Sequence, residues 1–64
     1  MEHLRSTKWL AEYLDVPVQT IYRWRNRNEG PPGYRVGKHV RYRESDVLAW
    51  LEGQRDDRGD RVPA

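Results

Sequence analysis

Apolar residues recur at helical spacing in three stretches of this chain and at strand spacing in one. Leu10, Ala11 and Leu14 share one face of a helix predicted over residues 7–14. Ser6 stands just before it as an N-cap, its hydroxyl placed to accept an otherwise unpaired N–H of the first turn. Trp9, three residues on, occupies the place where a capping box would put Glu or Gln, so only half of that box is present. With Tyr13 four residues further, Trp9 extends the apolar face, and a core position is expected for it. Asp15-Val16-Pro17 then makes a corner. Asp tolerates the left-handed conformation such a corner needs better than most residues, and Pro17 suits the cap or first position of a second helix over residues 18–27. Ile21 and Trp24 face inward from that helix. Gln19, Thr20, Arg23 and Arg27 are left pointing outward, with Tyr22, Arg25 and Asn26 on the flanks.

Gly30, followed by Pro31 and Pro32, is expected to end the second helix with a left-handed turn and force an extended exit. Tyr34-Arg35-Val36 and Val40-Arg41-Tyr42 alternate and read as a hairpin. A loop of Gly37 to His39 pairs Val36 with Val40 and Tyr34 with Tyr42, and so puts all four on one face and Arg35 with Arg41 on the other. A two-residue loop mixes Val with Arg on both faces, so the pattern predicts the longer loop. Lys38 and His39 form a basic tip. A two-stranded hairpin cannot stand alone and must pack its Tyr and Val face on the helices. Residues 44–52 form a third helix, with Val47, Leu48, Trp50 and Leu51 in one stripe about 160° wide. Glu44 and Asp46 favour its start, and Gly53 is placed to stop it. Residues 1–5 are expected to fray apart from Leu4, and residues 54–64 have almost nothing to bury and are expected to be disordered.

The elements assemble into one reading. Two helices joined by a tight corner, with small Ala11 where they cross, form a helix-turn-helix whose second helix can enter the major groove of DNA. The basic hairpin is a wing. The predicted fold is therefore α+β, mainly helical: a winged helix-turn-helix with three helices and a two-stranded hairpin wing, occupying residues 1–53 as one domain with a tail over residues 54–64. A chain of 64 residues buries only about 60% of its unfolded surface, too little for a deep catalytic pocket. Three Trp and four Tyr supply large buried area per residue in compensation.

Charge sharpens this picture. The net charge of +2 conceals a segregation: residues 19–43 carry seven bases against Glu29 alone, a net +6, while residues 1–18 carry −1 and residues 44–64 carry −3. Six of the seven bases are Arg, and the run coincides with the second helix and the wing, the footprint of a polyanion partner. No cysteine is present, which excludes disulfides and thiolate metal sites. His3 and His39 suggest no ligand pair, no two carboxylates suggest a catalytic pair, and no glycine loop opens a helix to cradle phosphate. No catalytic residue, metal, cofactor or small-molecule ligand is expected. Arg58-Gly59-Asp60 spells an adhesion tripeptide and is taken as coincidence. With no apolar run near the about 18 residues of a membrane span, a cytoplasmic, nucleoid-associated protein is expected.

Residues 6–16, Thr20-Ile21-Tyr22-Arg23-Trp24, Arg35-Val36-Gly37-Lys38, Arg41-Tyr42 and residues 47–51 together resemble the winged helix-turn-helix of phage and prophage excisionases, relatives of the DNA-binding domain of MerR-type regulators. The resemblance covers about residues 4–52. Asp15 departs from the usual turn Gly, Pro17 from the usual Ser or Thr cap, and Trp9 stands where an acid is common. The resemblance implies that the second helix enters the major groove and the wing the neighbouring minor groove. Gln19, Thr20 and Arg23 would then read bases, Tyr22 and Arg25 would contact phosphate, and Lys38 and Arg41 would act from the wing, with Arg27, Arg35 and His39 completing the basic surface. It further implies an excisionase that bends double-stranded DNA beside an integrase, with neighbouring copies of itself, in a bacterial host cell. A small prophage transcriptional regulator and a protein-interaction adaptor are the alternatives.

Overall fold

The computed structural model of the chain describes residues 3–56. Six elements follow one another: β1 (Leu4–Ser6), α1 (Thr7–Leu14), α2 (Val18–Asn26), β2 (Tyr34–Val36), β3 (His39–Arg43) and α3 (Glu44–Gly53). Three helices and an antiparallel sheet in this order make a winged helix-turn-helix.

α1 has the predicted bounds, and its ends are set by local chemistry. Ser6 is extended, and its Oγ accepts the N–H of Trp9 at 3.0 Å. At the other end Asp15 turns left-handed with φ 59°. The N–H groups of Asp15 and Val16 donate back to the carbonyls of Glu12 and Ala11 at 3.3 and 3.0 Å, a nested pair that satisfies the last turn and swings the chain into the corner. Pro17, with φ −63°, precedes α2 and offers its carbonyl to the N–H of Thr20 at 2.9 Å.

The end of α2 differs from expectation. The helix stops at Asn26, with Arg27 at the cap, and Asn28 makes the left-handed turn with φ 57°. Asn28 and Glu29 donate to the carbonyls of Arg25 and Trp24 at 3.2 and 2.7 Å, repeating the arrangement that closes α1. Asn is the residue after Gly that best tolerates this conformation, which is why the first suitable position is used. Gly30 is left-handed too, φ 84°, but its task is close approach: a Cβ there would stand 3.1 Å from Cε3 of Trp24.

The sheet corrects two further expectations. Arg5, expected to fray, lies with Leu4 and Ser6 in a strand that pairs with β3 in the register Leu4↔Arg43, Arg5↔Tyr42 and Ser6↔Arg41, so the strand order is β1-β3-β2 and the wing rests on a third strand. Between β2 and β3 the turn is Gly37-Lys38, not three residues, with Tyr34↔Arg41, Arg35↔Val40 and Val36↔His39 opposed. Gly37 takes φ 64° with Lys38 on the ordinary side, as a type II′ hairpin turn requires. One residue fewer in the loop slips the register by one and reverses the faces of β2. Tyr34 and Val36, expected inside with Val40 and Tyr42, are therefore exposed at 43% and 50%. Tyr34 lies instead under the Arg43 guanidinium, 5.6 Å from the ring centre.

Leu10, Ala11, Ile21, Tyr42 and Val47 form the buried core, with Trp9, Leu14, Val16, Trp24 and Val40 packed half-buried around it. Trp9 also stacks on Tyr13, ring centres 5.0 Å apart. α3 packs chiefly on β3. Val47 is sealed and Trp50 meets Trp24 at 5.5 Å, but Leu48 and Leu51 are exposed. So small a body cannot cover a stripe as wide as the one α3 carries. The helix includes Gly53 rather than stopping before it, and Gln54 closes it with an N–H to the Leu51 carbonyl at 2.9 Å. The expected tail begins within the described chain, where the N–H of Arg55 still reaches the Glu52 carbonyl at 3.3 Å. Residues 57–64, including the Arg58-Gly59-Asp60 tripeptide, lie outside the described residues, as do Met1 and Glu2.

Candidate nucleic-acid interface

α2 is anchored through Ile21 and Trp24, and helical geometry then fixes what its other side presents. Gln19, Tyr22, Arg23 and Arg27 are exposed, and Thr20 and Arg25 are half-buried. Arg25 is turned away from the rest of this set. A Cβ placed on Gly33 would stand 3.0 Å from its Nη1 and 2.9 Å from Cε1 of Tyr42, so its guanidinium lies along the loop that leads into β2. On the wing, Arg35, Lys38 and His39 are exposed, while Arg41 is half-buried and donates from Nη1 to the Val40 carbonyl at 2.9 Å.

The ion pairs divide the molecule. Arg5 pairs with Glu44, Arg43 with Asp46 at 3.1 Å, and Arg55 with Glu52 at 3.8 Å. All three lie at β1 or α3 or where β3 passes into α3. By contrast Arg23, Arg25, Arg27, Arg35, Lys38 and Arg41 make no ion pair with another described residue. Glu44, Asp46 and Glu52 are thus engaged around α3, and the cations of α2 and the wing are left without an ion pair among the described residues. Unpaired cations on one surface attract a polyanion over a distance set by ionic strength.

The sheet brings two parts of this surface together that sequence distance separates. A cleft of about 300 Å³ lies where the wing meets the helix pair, walled by Thr7, Lys8, Tyr22, Lys38, His39 and Arg41. Thr7 and Lys8 were not among the sequence-predicted contacts. Their only signal is Ser6, which marks the start of a helix. That this start lies beside the wing follows from the pairing of Ser6 with Arg41, a strand too short to show in the residue pattern.

Among the described residues, no group of three or more His, Cys, Asp or Glu side chains converges as metal ligands would. No helix among them is long and apolar enough to cross a membrane. Residues 6–55 match the family model of a helix-turn-helix domain. No curated protein and no solved structure matches the chain.

Proposed function

The chain belongs to the family of DNA-binding helix-turn-helix domains over residues 6–55, and on that premise we propose that it acts as an excisionase, binding and bending duplex DNA so that an integrase excises a prophage. The observation that carries this reading is the set of six cations on α2 and the wing that make no ion pair with another described residue. Gln19, Thr20 and Arg23 reach base edges in the major groove, where Arg is suited to the paired acceptors of guanine. Tyr22, Arg25 and Arg27 take phosphates along the same groove, which requires Arg25 to swing out from the loop before β2. Arg35, Lys38, His39 and Arg41 address the adjacent minor groove from the wing. Pro17 offers no hydroxyl at the start of α2, so one contact that Ser or Thr could make there is missing.

Bending a site of 20 to 30 base pairs costs about 1 to 6 kcal/mol, more than one small domain readily supplies. Several copies on adjacent repeats share that cost, so cooperative binding beside the recombination site belongs to the proposal. The test combines a footprint on DNA flanking an integrase gene with an excision assay containing integrase and paired attachment-site DNA. Adjacent protected repeats and an increased yield of excised product are expected. The double variant Lys38→Ala, Arg41→Ala should bind and bend less. An unchanged excision yield together with one protected site over a promoter, and altered transcription from it, would replace this reading with that of a small transcriptional regulator.

A further inference from the structure

The C-terminal ends of α2 and α3 meet at one cleft of about 440 Å³, lined by Asn28 just past the first helix and by Gln54 at the cap of the second. Each helix dipole places partial negative charge at such an end. Trp24 and Trp50, both half-buried and with ring centres 5.5 Å apart, give the cleft an aromatic wall. Gly30 leaves the Trp24 ring uncovered, since a Cβ there would stand 3.1 Å from its Cε3. Glu29 completes the lining. It is exposed, and its side chain makes no ion pair or hydrogen bond with another described residue. It is also the one acid in residues 19–43, a stretch with seven bases. No Arg or Lys among the described residues lines this cleft.

Two helix C-termini, a carboxylate and two indole rings all favour positive charge, and Trp is the aromatic that attracts a cation most strongly. A guanidinium suits the set best, because its flat face lies on an indole while its edge donates to a carboxylate. The loop after α2 carries a second cleft, of about 330 Å³, which shares Asn28, Glu29 and Gly30 with the first. It does not reach α3, and it adds Arg25, which makes no ion pair with another described residue. The two clefts together fit a base close to the end of α3 and an acid a short step further along the loop.

The chain itself carries charges in that order. It leaves α3 through Gln54, in the wall of the first cleft, and continues past the described residues with Asp57-Arg58-Gly59-Asp60. Arg58 is four residues from Gln54, within about 14 Å of extended chain, and Gly59 leaves the backbone free to bend before Asp60. We propose that Arg58-Gly59-Asp60 docks on its own chain, with Arg58 against the Trp24 and Trp50 rings and the Glu29 carboxylate, and Asp60 against Arg25. Contacts so few hold a free peptide weakly. A segment joined to the wall of its own site by so short a stretch is held there at about millimolar effective concentration, whatever the concentration of the protein. The tripeptide thus has a use within the molecule: it covers the aromatic cleft and keeps Arg25 at the loop. The docking needs no DNA, so it stands or falls apart from the DNA-binding reading.

The test is nuclear magnetic resonance on the isotope-labelled full chain without DNA. The indole N–H signals of Trp24 and Trp50 and the Nε–H signals of Arg25 and Arg58 report on the two clefts, and the Trp9 indole is the control. Arg58→Ala should shift the Trp24 and Trp50 signals and leave Trp9 in place. Arg58→Lys, which keeps the charge and loses the flat face, should restore them in part. Glu29→Gln should shift the Arg58 signal, and its effect on the two indoles should shrink once Arg58→Ala is present, because the partner is already gone. Asp60→Asn should shift the Arg25 signal. Circular dichroism checks each fold, and should Glu29→Gln unfold, Arg58→Ala decides by itself. Indole signals of Trp24 and Trp50 unchanged in Arg58→Ala, or changes confined to the chain neighbours of residue 58, overturn the proposal. An Arg25 signal indifferent to Asp60→Asn overturns its second contact. A segment docked on its own chain gives the same spectrum at every dilution, so shifts that grow with protein concentration overturn the proposal in favour of the same segment from a second copy.

Discussion

Arg23 and Arg43 are the same residue type put to opposite uses. Arg43 is engaged by Asp46 through Nε and Nη2 at 3.1 and 3.3 Å, which ties the end of β3 to the first turn of α3. Arg23 projects from the exposed side of α2 and makes no ion pair with another described residue. An exposed pair such as that of Arg43 contributes little to stability, so its main effect is to remove a charge from the surface potential. If Arg23 is bidentate to a guanine, Arg23→Ala should cost about 1 to 3 kcal/mol of binding and relax the preference at one or two base pairs. Selection of bound sequences from a random pool, by parent and variant, measures this. A loss of equal size on every sequence would make Arg23 a phosphate contact instead. Asp15, the other residue whose role was expected from its type, turns left-handed as predicted and closes α1 through its own N–H and that of Val16.

Two glycines show how far an element's tolerance depends on its neighbours. Gly33 enters β2 against the buried ring of Tyr42, and a Cβ there would come within 2.9 Å of Cε1. Tyr42 is one of the five core residues and cannot move aside cheaply. Gly33→Ala should therefore destabilise the fold by about 1 to 3 kcal/mol, the usual cost of overpacking. Gly53 closes α3 with nothing within 4 Å of where a Cβ would stand. There Ala gains helix propensity without a clash, and Gly53→Ala should stabilise by up to about 1 kcal/mol. Thermal unfolding followed by circular dichroism gives both signs. A variant at Gly33 as stable as the parent would mean that the Tyr42 ring is free to shift. In the wing the structure departs from the faces that the residue pattern predicts. β3 alternates as expected, with Tyr42 buried and Val40 half-buried, but β2 is reversed because its register is inherited from the turn.

At the scale of the whole molecule, six cations on α2 and the wing make no ion pair with another described residue, whereas Arg5, Arg43 and Arg55 are paired around β1 and α3. With about four to six phosphates neutralised, log affinity for duplex DNA should fall with log salt at a slope of roughly −4 to −5. Titration at several salt concentrations measures it, and a slope near zero would show that the cations are not used on phosphate. Tyr13, Leu48 and Leu51 are exposed. Leu48 and Leu51 were expected to be covered, and their exposure follows from a core too small to receive every apolar side chain the helices offer.

The residues alone determined what depends on near neighbours. Ser6 capping α1, Asp15 turning after it, Pro17 opening α2 and Ile21 facing inward all rest on hydrogen bonds or steric preferences that reach at most a few positions along the chain. The concentration of positive charge in residues 19–43 was equally legible, because charge adds without regard to conformation. The tertiary structure decided what depends on partners distant in sequence: the pairing of Leu4–Ser6 with β3, the two-residue turn that sends Tyr34 and Val36 outward, and the docking of Thr7 beside the wing. A strand of three residues has no periodicity to read, and a two-faced hairpin offers two registers that differ by one residue. Only the packing of Tyr42 into the core and the freedom of Gly37 to take a positive φ choose between them.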